Sequence, residues 1–190
     1  DLLRGIAGYG VAITHYLFFV KEKINFEFYS YIFFEIFFIL SGFVLFNQLN
    51  KVYKEKKNLK IFYLRRWYRT IPLYLVALIF FIVISNSYNF DFFKYIFFFQ
   101  KIAPDFVIKD YFMVAWSLSI EELFYLFFPL YLIFLNRFDL NKISFLFIIF
   151  FIILKLAFLD NVNANFLRTG SIFRLDAIAI GFLLALHYKK

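Results

Sequence analysis

The titratable side chains that stand within or beside apolar stretches are few, and their spacing sorts them into groups. Arg4 and His15 lie eleven residues apart in an otherwise apolar run from Leu2 to Val20. On a helix that separation returns to within ~20° of the same face and descends ~16 Å, so a guanidinium at one surface is in line with an imidazole near mid-bilayer. Ionisable groups at that depth usually line a cavity or do chemistry. The plainer alternative is a snorkelling arginine and a histidine bonded to the next helix, and the spacing leaves both open. A second group, Arg65, Arg66 and Arg69, precedes Ile71-Pro72. Spacings of three and four put these guanidinium groups on one helix face, where they form either a bidentate phosphate receptor or a lipid-headgroup anchor. A third group is the adjacent pair Glu121 and Glu122 in Trp116-Ser117-Leu118-Ser119-Ile120-Glu121-Glu122-Leu123-Phe124-Tyr125. Glu121 shares a face with Ser117 and Tyr125, and Glu122 with Ser119 and Tyr125. Neighbouring side chains diverge by ~100°, so one carboxylate is expected to point into a polar cavity, the alternative being that both are interfacial. Glu35 is either a buried, partnered carboxylate or an interfacial one. Arg174 and Asp176 are two apart and cannot face each other on a helix, so each needs another partner. His187, at a span border, reads as interfacial rather than catalytic.

The elements that must position these groups are membrane helices. The chain has 190 residues, 64% of them apolar and 34 of them phenylalanine, and the apolar residues fall in blocks of membrane-crossing length. The expected fold is all-α, a polytopic helical bundle with about six spans. These run over Leu2–Val20, Tyr31–Leu49, Ile71–Ser85, Trp116–Leu135, Ile143–Leu159 and a last segment ending at His187. Residues 90–103 are apolar but broken by Asp91, Lys94, Gln100 and Lys101, which suits a re-entrant or interfacial segment better than a crossing one. The Ser41-Gly42 pair would let another helix approach closely. Pro72 is expected to open the third span. The absence of cysteine excludes disulfides and thiolate chemistry. Two histidines are too few for a histidine-rich metal centre, and no metal site is expected.

The formal net charge of +8 reports orientation before any nucleic-acid partner, and none is expected. The basic loop 50–70 reads as cytoplasmic, which places the N-terminus inside and leaves the basic side chains in contact with anionic lipid. The apolar pattern begins at residue 2 without an initiator methionine, and the chain is expected to be a piece of a longer protein, one incomplete domain over residues 1–190.

Taken together, four segments resemble the acyltransferase family 3 membrane proteins, which O-acylate sugars and other hydroxyl compounds. They are Asp1-Leu2-Leu3-Arg4-Gly5 through His15; Phe37 to Phe43; Arg65-Arg66-Trp67-Tyr68-Arg69-Thr70-Ile71-Pro72-Leu73-Tyr74; and Trp116 to Pro129. Arg174-Leu175-Asp176 followed by Gly181 is similar to a fifth, softer element. Glu121-Glu122-Leu123 stands where the family often has Glu-Glu-Gln. The resemblance implies about ten spans, so several C-terminal ones would be missing here. It also implies an integral protein of the bacterial inner membrane with no bound cofactor. The co-substrate would be an acyl-coenzyme A, most often acetyl-coenzyme A, and the acceptor a hydroxyl of a carbohydrate or lipid-linked glycan. Arg4, Arg65, Arg66 and Arg69 would meet the donor, and His15 would act with Glu121 or Glu35. Trp116, Ser117, Glu122, Tyr125, Arg174 and Asp176 would lie on the acceptor side or serve structure. The competing class is a transporter or flippase for a glycan or lipid-linked substrate, whose intramembrane charges line a path.

Overall fold

The structure, a computed structural model, describes residues 2–20, 27–85, 90–103, 112 and 115–188, with the side chains of Arg4, Phe18, Phe19, Glu27, Phe28, Ala164, Asn165 and Arg168 left aside. The turn expected at Lys21–Asn25 and the closing Lys189-Lys190 pair lie outside those residues. Every regular element among them is helical: α1 (Leu2–Val20), α2 (Glu27–Lys54), α3 (Asn58–Ser85), α4 (Asp91–Ile96), α5 (Trp116–Phe134), α6 (Leu140–Ala157), α7 (Ala164–Thr169) and α8 (Leu175–Tyr188). Four segments, Tyr29–Lys54, Asn58–Ser85, Trp116–Phe134 and Leu140–Ala157, are long and apolar enough to cross a membrane. The protein is an all-α integral membrane protein. The last expected span is the 14-residue α8, ~21 Å long, shorter than a ~30 Å hydrocarbon core.

By its internal contacts the chain forms two units, Asp1–Phe46 with Ala177–Lys190, and Asn47–Asp176. In the first unit, backbone meets backbone. A Cβ added to Gly42 of α2 would strike the carbonyl oxygen of Ile178 in α8, and one added to Gly181 of α8 would strike that of Ile39 in α2. Lipid supplies no hydrophobic drive to pair helices, so such close packing is what holds them. The Ser41-Gly42 pair admits its neighbour as expected. Phe46 and Phe182 then pack beside the crossing with ring centroids 5.2 Å apart. In α1 the buried Thr14 returns its hydroxyl to the carbonyls of Gly10 and Val11, at 2.8 and 2.9 Å, so no polar group is left bare.

In the second unit the segment expected as a loop over 50–70 is mostly helix. The connection shrinks to Glu55–Lys57, closed by Asn58 N–H on the Glu55 carbonyl and Asn58 Nδ2 on that of Lys51, both at 3.0 Å. From Asn58 to Thr70 the residues are mostly leucine, lysine, arginine and aromatics, with no glycine or proline among them, so the helix runs on. Pro72 therefore lies inside α3 rather than at its start. It lacks the N–H that would bond the Tyr68 carbonyl, a break that the 28-residue helix spans. α5 and α6 hold together through rings at turn-spaced positions. Phe124, Phe128 and Tyr131 of α5 meet Phe147 of α6 at centroid distances of 6.1, 4.9 and 5.1 Å.

Residues 90–103 hold no helix of crossing length. α4 is six residues long and turns back on α3, where the Tyr74 hydroxyl donates to the Tyr95 carbonyl at 2.9 Å. The helix ends in a Schellman cap, with Phe98 N–H on the Tyr95 carbonyl (3.0 Å) and Phe99 N–H on that of Lys94 (2.7 Å). Glycine usually fills the left-handed position of that cap; here it is Phe98, φ 60°. Its ring stacks on Tyr74 at 4.8 Å, a contact glycine could not make and one that offsets the backbone strain.

Candidate functional site

One group of polar residues in the second unit, from Arg66 to Glu122, meets where α3 and α5 run antiparallel. Tyr53 donates to the Phe138 carbonyl at 2.8 Å, which sets the α2–α3 turn level with the α5–α6 turn. Arg66 lies ~12 Å along α3 from Asn58, and Glu122 ~18 Å along α5 from Phe134, so both are well in from this basic end. Consecutive arginines diverge by ~100°, and the structure separates them accordingly. Arg65 and Arg69 are exposed, whereas Arg66 turns inward. Its Cζ sits 5.2 Å from the centre of the Tyr125 ring, within cation–π range, and its Nη2 donates to Gln48 Oε1 at 3.3 Å.

The two glutamates part in the same way. Glu121, half-buried, accepts the Tyr125 hydroxyl at 2.9 Å, one helical turn on. Glu122 is buried, and neither carboxylate oxygen has a hydrogen bond among the described residues. Thr70 and Arg66 are near enough to act on it electrostatically, but the Thr70 hydroxyl already donates to the Arg66 carbonyl at 2.9 Å. Among the described residues, Glu122 is the one charged group lining a cavity of about 330 Å³ walled by Trp67, Ile71 and Leu75 of α3, Phe97 and Phe98 after α4, and Leu123 of α5. Donor-side Arg66 and acceptor-side Glu122 and Tyr125, which the sequence sorts onto opposite surfaces, are thus neighbours. Tyr63 braces the wall by donating to the Leu126 carbonyl at 2.9 Å and stacking on Trp67 at 5.1 Å.

A second polar cluster closes the far end. Asp176 takes an ion pair from Lys155, the charge that interrupts α6. Sequence reading leaves Asp176 needing a partner, and Lys155 supplies it. Arg174 is buried in the 3-10 turn Ile172–Arg174. Burial pushes its guanidinium down to about 10 while Asp176 holds it up, so it remains a cation at neutral pH. Trp116 and Ser117, both half-buried, form the first turn of α5. In the first unit His15 is exposed on α1, edge-on to Phe34 of α2 with ring centroids 6.0 Å apart, and Glu35, the next residue of α2, is half-buried. His187 is exposed in the last turn of α8. Arg4 lies on α1, its side chain outside the described residues.

The profile of a family described as an acyltransferase domain, acyltransferase 3, matches residues 1–190. The chain belongs to the acyltransferase 3 family. Comparison with curated proteins and with solved structures gives no match. As an acyltransferase 3 member with four apolar spans, it is a membrane acyltransferase. Three residues near its polar clusters escape sequence reading: Thr70 beside Glu122, Gln48 on Arg66, and Lys155 on Asp176. Lys155 alone carries a signal, as a lone cation inside an apolar block.

Proposed function

We propose that this acyltransferase 3 protein moves an acyl group, acetyl in the first instance, from acyl-coenzyme A to a hydroxyl of a carbohydrate or surface-polysaccharide precursor. The observation that carries the reading is the continuity of α3. One helix bears the exposed Arg65 and Arg69 and, between them in sequence, the inward Arg66 beside Glu122 and its cavity. Exposed guanidinium groups suit the phosphates of a coenzyme A arriving at the basic, cytoplasmic end, with Arg4 as a further contact. A buried carboxylate without a hydrogen bond suits a polar substrate group, because leaving its oxygens bare costs about 1–3 kcal/mol.

His15 is the proposed base. It accepts the hydroxyl proton as the acceptor oxygen bonds to the thioester carbonyl carbon; the carbon–sulfur bond breaks and the coenzyme A thiolate leaves, taking up the proton. Glu35 or Glu121 offsets the imidazolium charge that forms. The test is transfer of radiolabelled acetyl from acetyl-coenzyme A to glycan in membranes holding the full-length protein. His15→Ala is expected to abolish transfer while membrane insertion is retained. Full turnover by that variant refutes the role of His15, and glycan movement without label transfer favours a transporter.

A further inference from the structure

We propose that a second site, separate from the Arg66–Glu122 cavity, holds one anionic glycerophospholipid of the cytoplasmic leaflet. A groove of about 1200 Å³ lies along α5 and α6, and its charged residues stand at one end. Its walls include Phe127, Phe134 and Phe150, 52%, 85% and 59% exposed. At the basic end its lining includes Lys56 of the α2–α3 turn, with Asn136 and Arg137 of the α5–α6 turn. The Tyr53–Phe138 hydrogen bond holds those two turns together, so the cations are fixed at one level. Lys57, next in the turn, is paired with Glu55 at 3.0 Å, whereas among the described residues neither Lys56 nor Arg137 has an ion-pair partner.

Dimensions and charge select the occupant. The α5 wall from Phe134 back to Phe127 is ~10 Å long, with the turn that carries Arg137 beyond it, so the apolar wall fits within one leaflet, ~15 Å, of a ~30 Å hydrocarbon core. A single molecule with a phosphate at its head and acyl chains below matches cations at the rim and phenylalanine underneath. Basic pockets between membrane helices on the cytoplasmic side are where anionic headgroups settle. Zwitterionic lipid would fill the apolar walls equally well but would leave the two rim cations without a net countercharge.

The experiment is native mass spectrometry of the full-length protein with phosphatidylglycerol and phosphatidylcholine added in equal amounts. Two cations at about 1 kcal/mol each correspond to a phosphatidylglycerol preference of about 30-fold. K56Q/R137Q is expected to bring the two lipids to parity, and K57Q/K60Q, which removes equal charge beside the groove, to leave the preference standing. Equal loss in both double variants, or no loss in K56Q/R137Q, overturns the proposal. A phosphatidylglycerol with a photoreactive acyl chain is expected to label Phe127, Phe134 or Phe150. Labelling elsewhere alone means another protein segment fills the groove, and it also overturns the proposal.

Discussion

Removing the carboxylate of Asp176 should destabilise the protein more than removing the lysine that faces it. The Asp176 side chain is 9% exposed and that of Lys155 27%. Asp176→Asn takes the anion away from Lys155 and from beside the buried Arg174, and breaking a buried pair in this way costs about 3–5 kcal/mol. Lys155→Met is milder. Asp176 keeps the attraction of Arg174, so the loss is nearer that of one charge-assisted hydrogen bond, about 1.5–3 kcal/mol. In the double variant the two losses overlap, and the sum of the single effects should exceed the double effect by about 1–3 kcal/mol. Thermal unfolding of the full-length protein in detergent reads this out at roughly 2–4 °C per kcal/mol, so Asp176→Asn should lower Tm by about 10 °C. The reasoning is refuted if Lys155→Met is the worse of the two, or if the double variant equals the sum to within about 0.5 kcal/mol.

Gly42→Ala and Gly181→Ala should each cost about 1–3 kcal/mol of thermal stability, whereas Gly8→Ala, with nothing within 4 Å of the new Cβ, should be neutral or mildly stabilising. Arg69→Ala is expected to raise KM for acetyl-coenzyme A with kcat held. Arg66→Lys, which loses the planar contact over Tyr125, is expected to lower kcat about tenfold or more, with the Tm shift confined to a few degrees. Tyr74→Phe removes one hydroxyl donor to the Tyr95 carbonyl and should lower stability by about 1 kcal/mol, leaving the stack on Phe98 intact.

The helices are legible in the sequence because their signal is local: apolar blocks of crossing length, broken at charged or polar turns. The break in the apolar run over 90–103 is legible for the same reason, since Asp91 and Lys94 interrupt it, and they pair with each other at 2.7 Å one turn apart. The extent of α3 is not. Proline at the onset of an apolar run reads as a helix start, but nothing before Pro72 breaks a helix, and tertiary contacts such as Tyr63 on Leu126 hold the earlier residues in place. Side-chain partners across helices are less legible still. Spacing groups Arg65, Arg66 and Arg69 on a face, yet it carries no information on which of them meets α5. The approach of Arg66 to Tyr125, and of Lys155 to Asp176, depends on how helices distant in sequence are rotated.

The crossing of α2 and α8 restricts how this protein can vary. Gly42 and Gly181 each abut the opposing main chain and not one another's side of the contact. A mutation at either one therefore admits no genetic suppressor at its counterpart, because that counterpart has nothing left to trim. Revertants of such an allele should either restore the glycine itself or reset the spacing of the two helices from positions elsewhere.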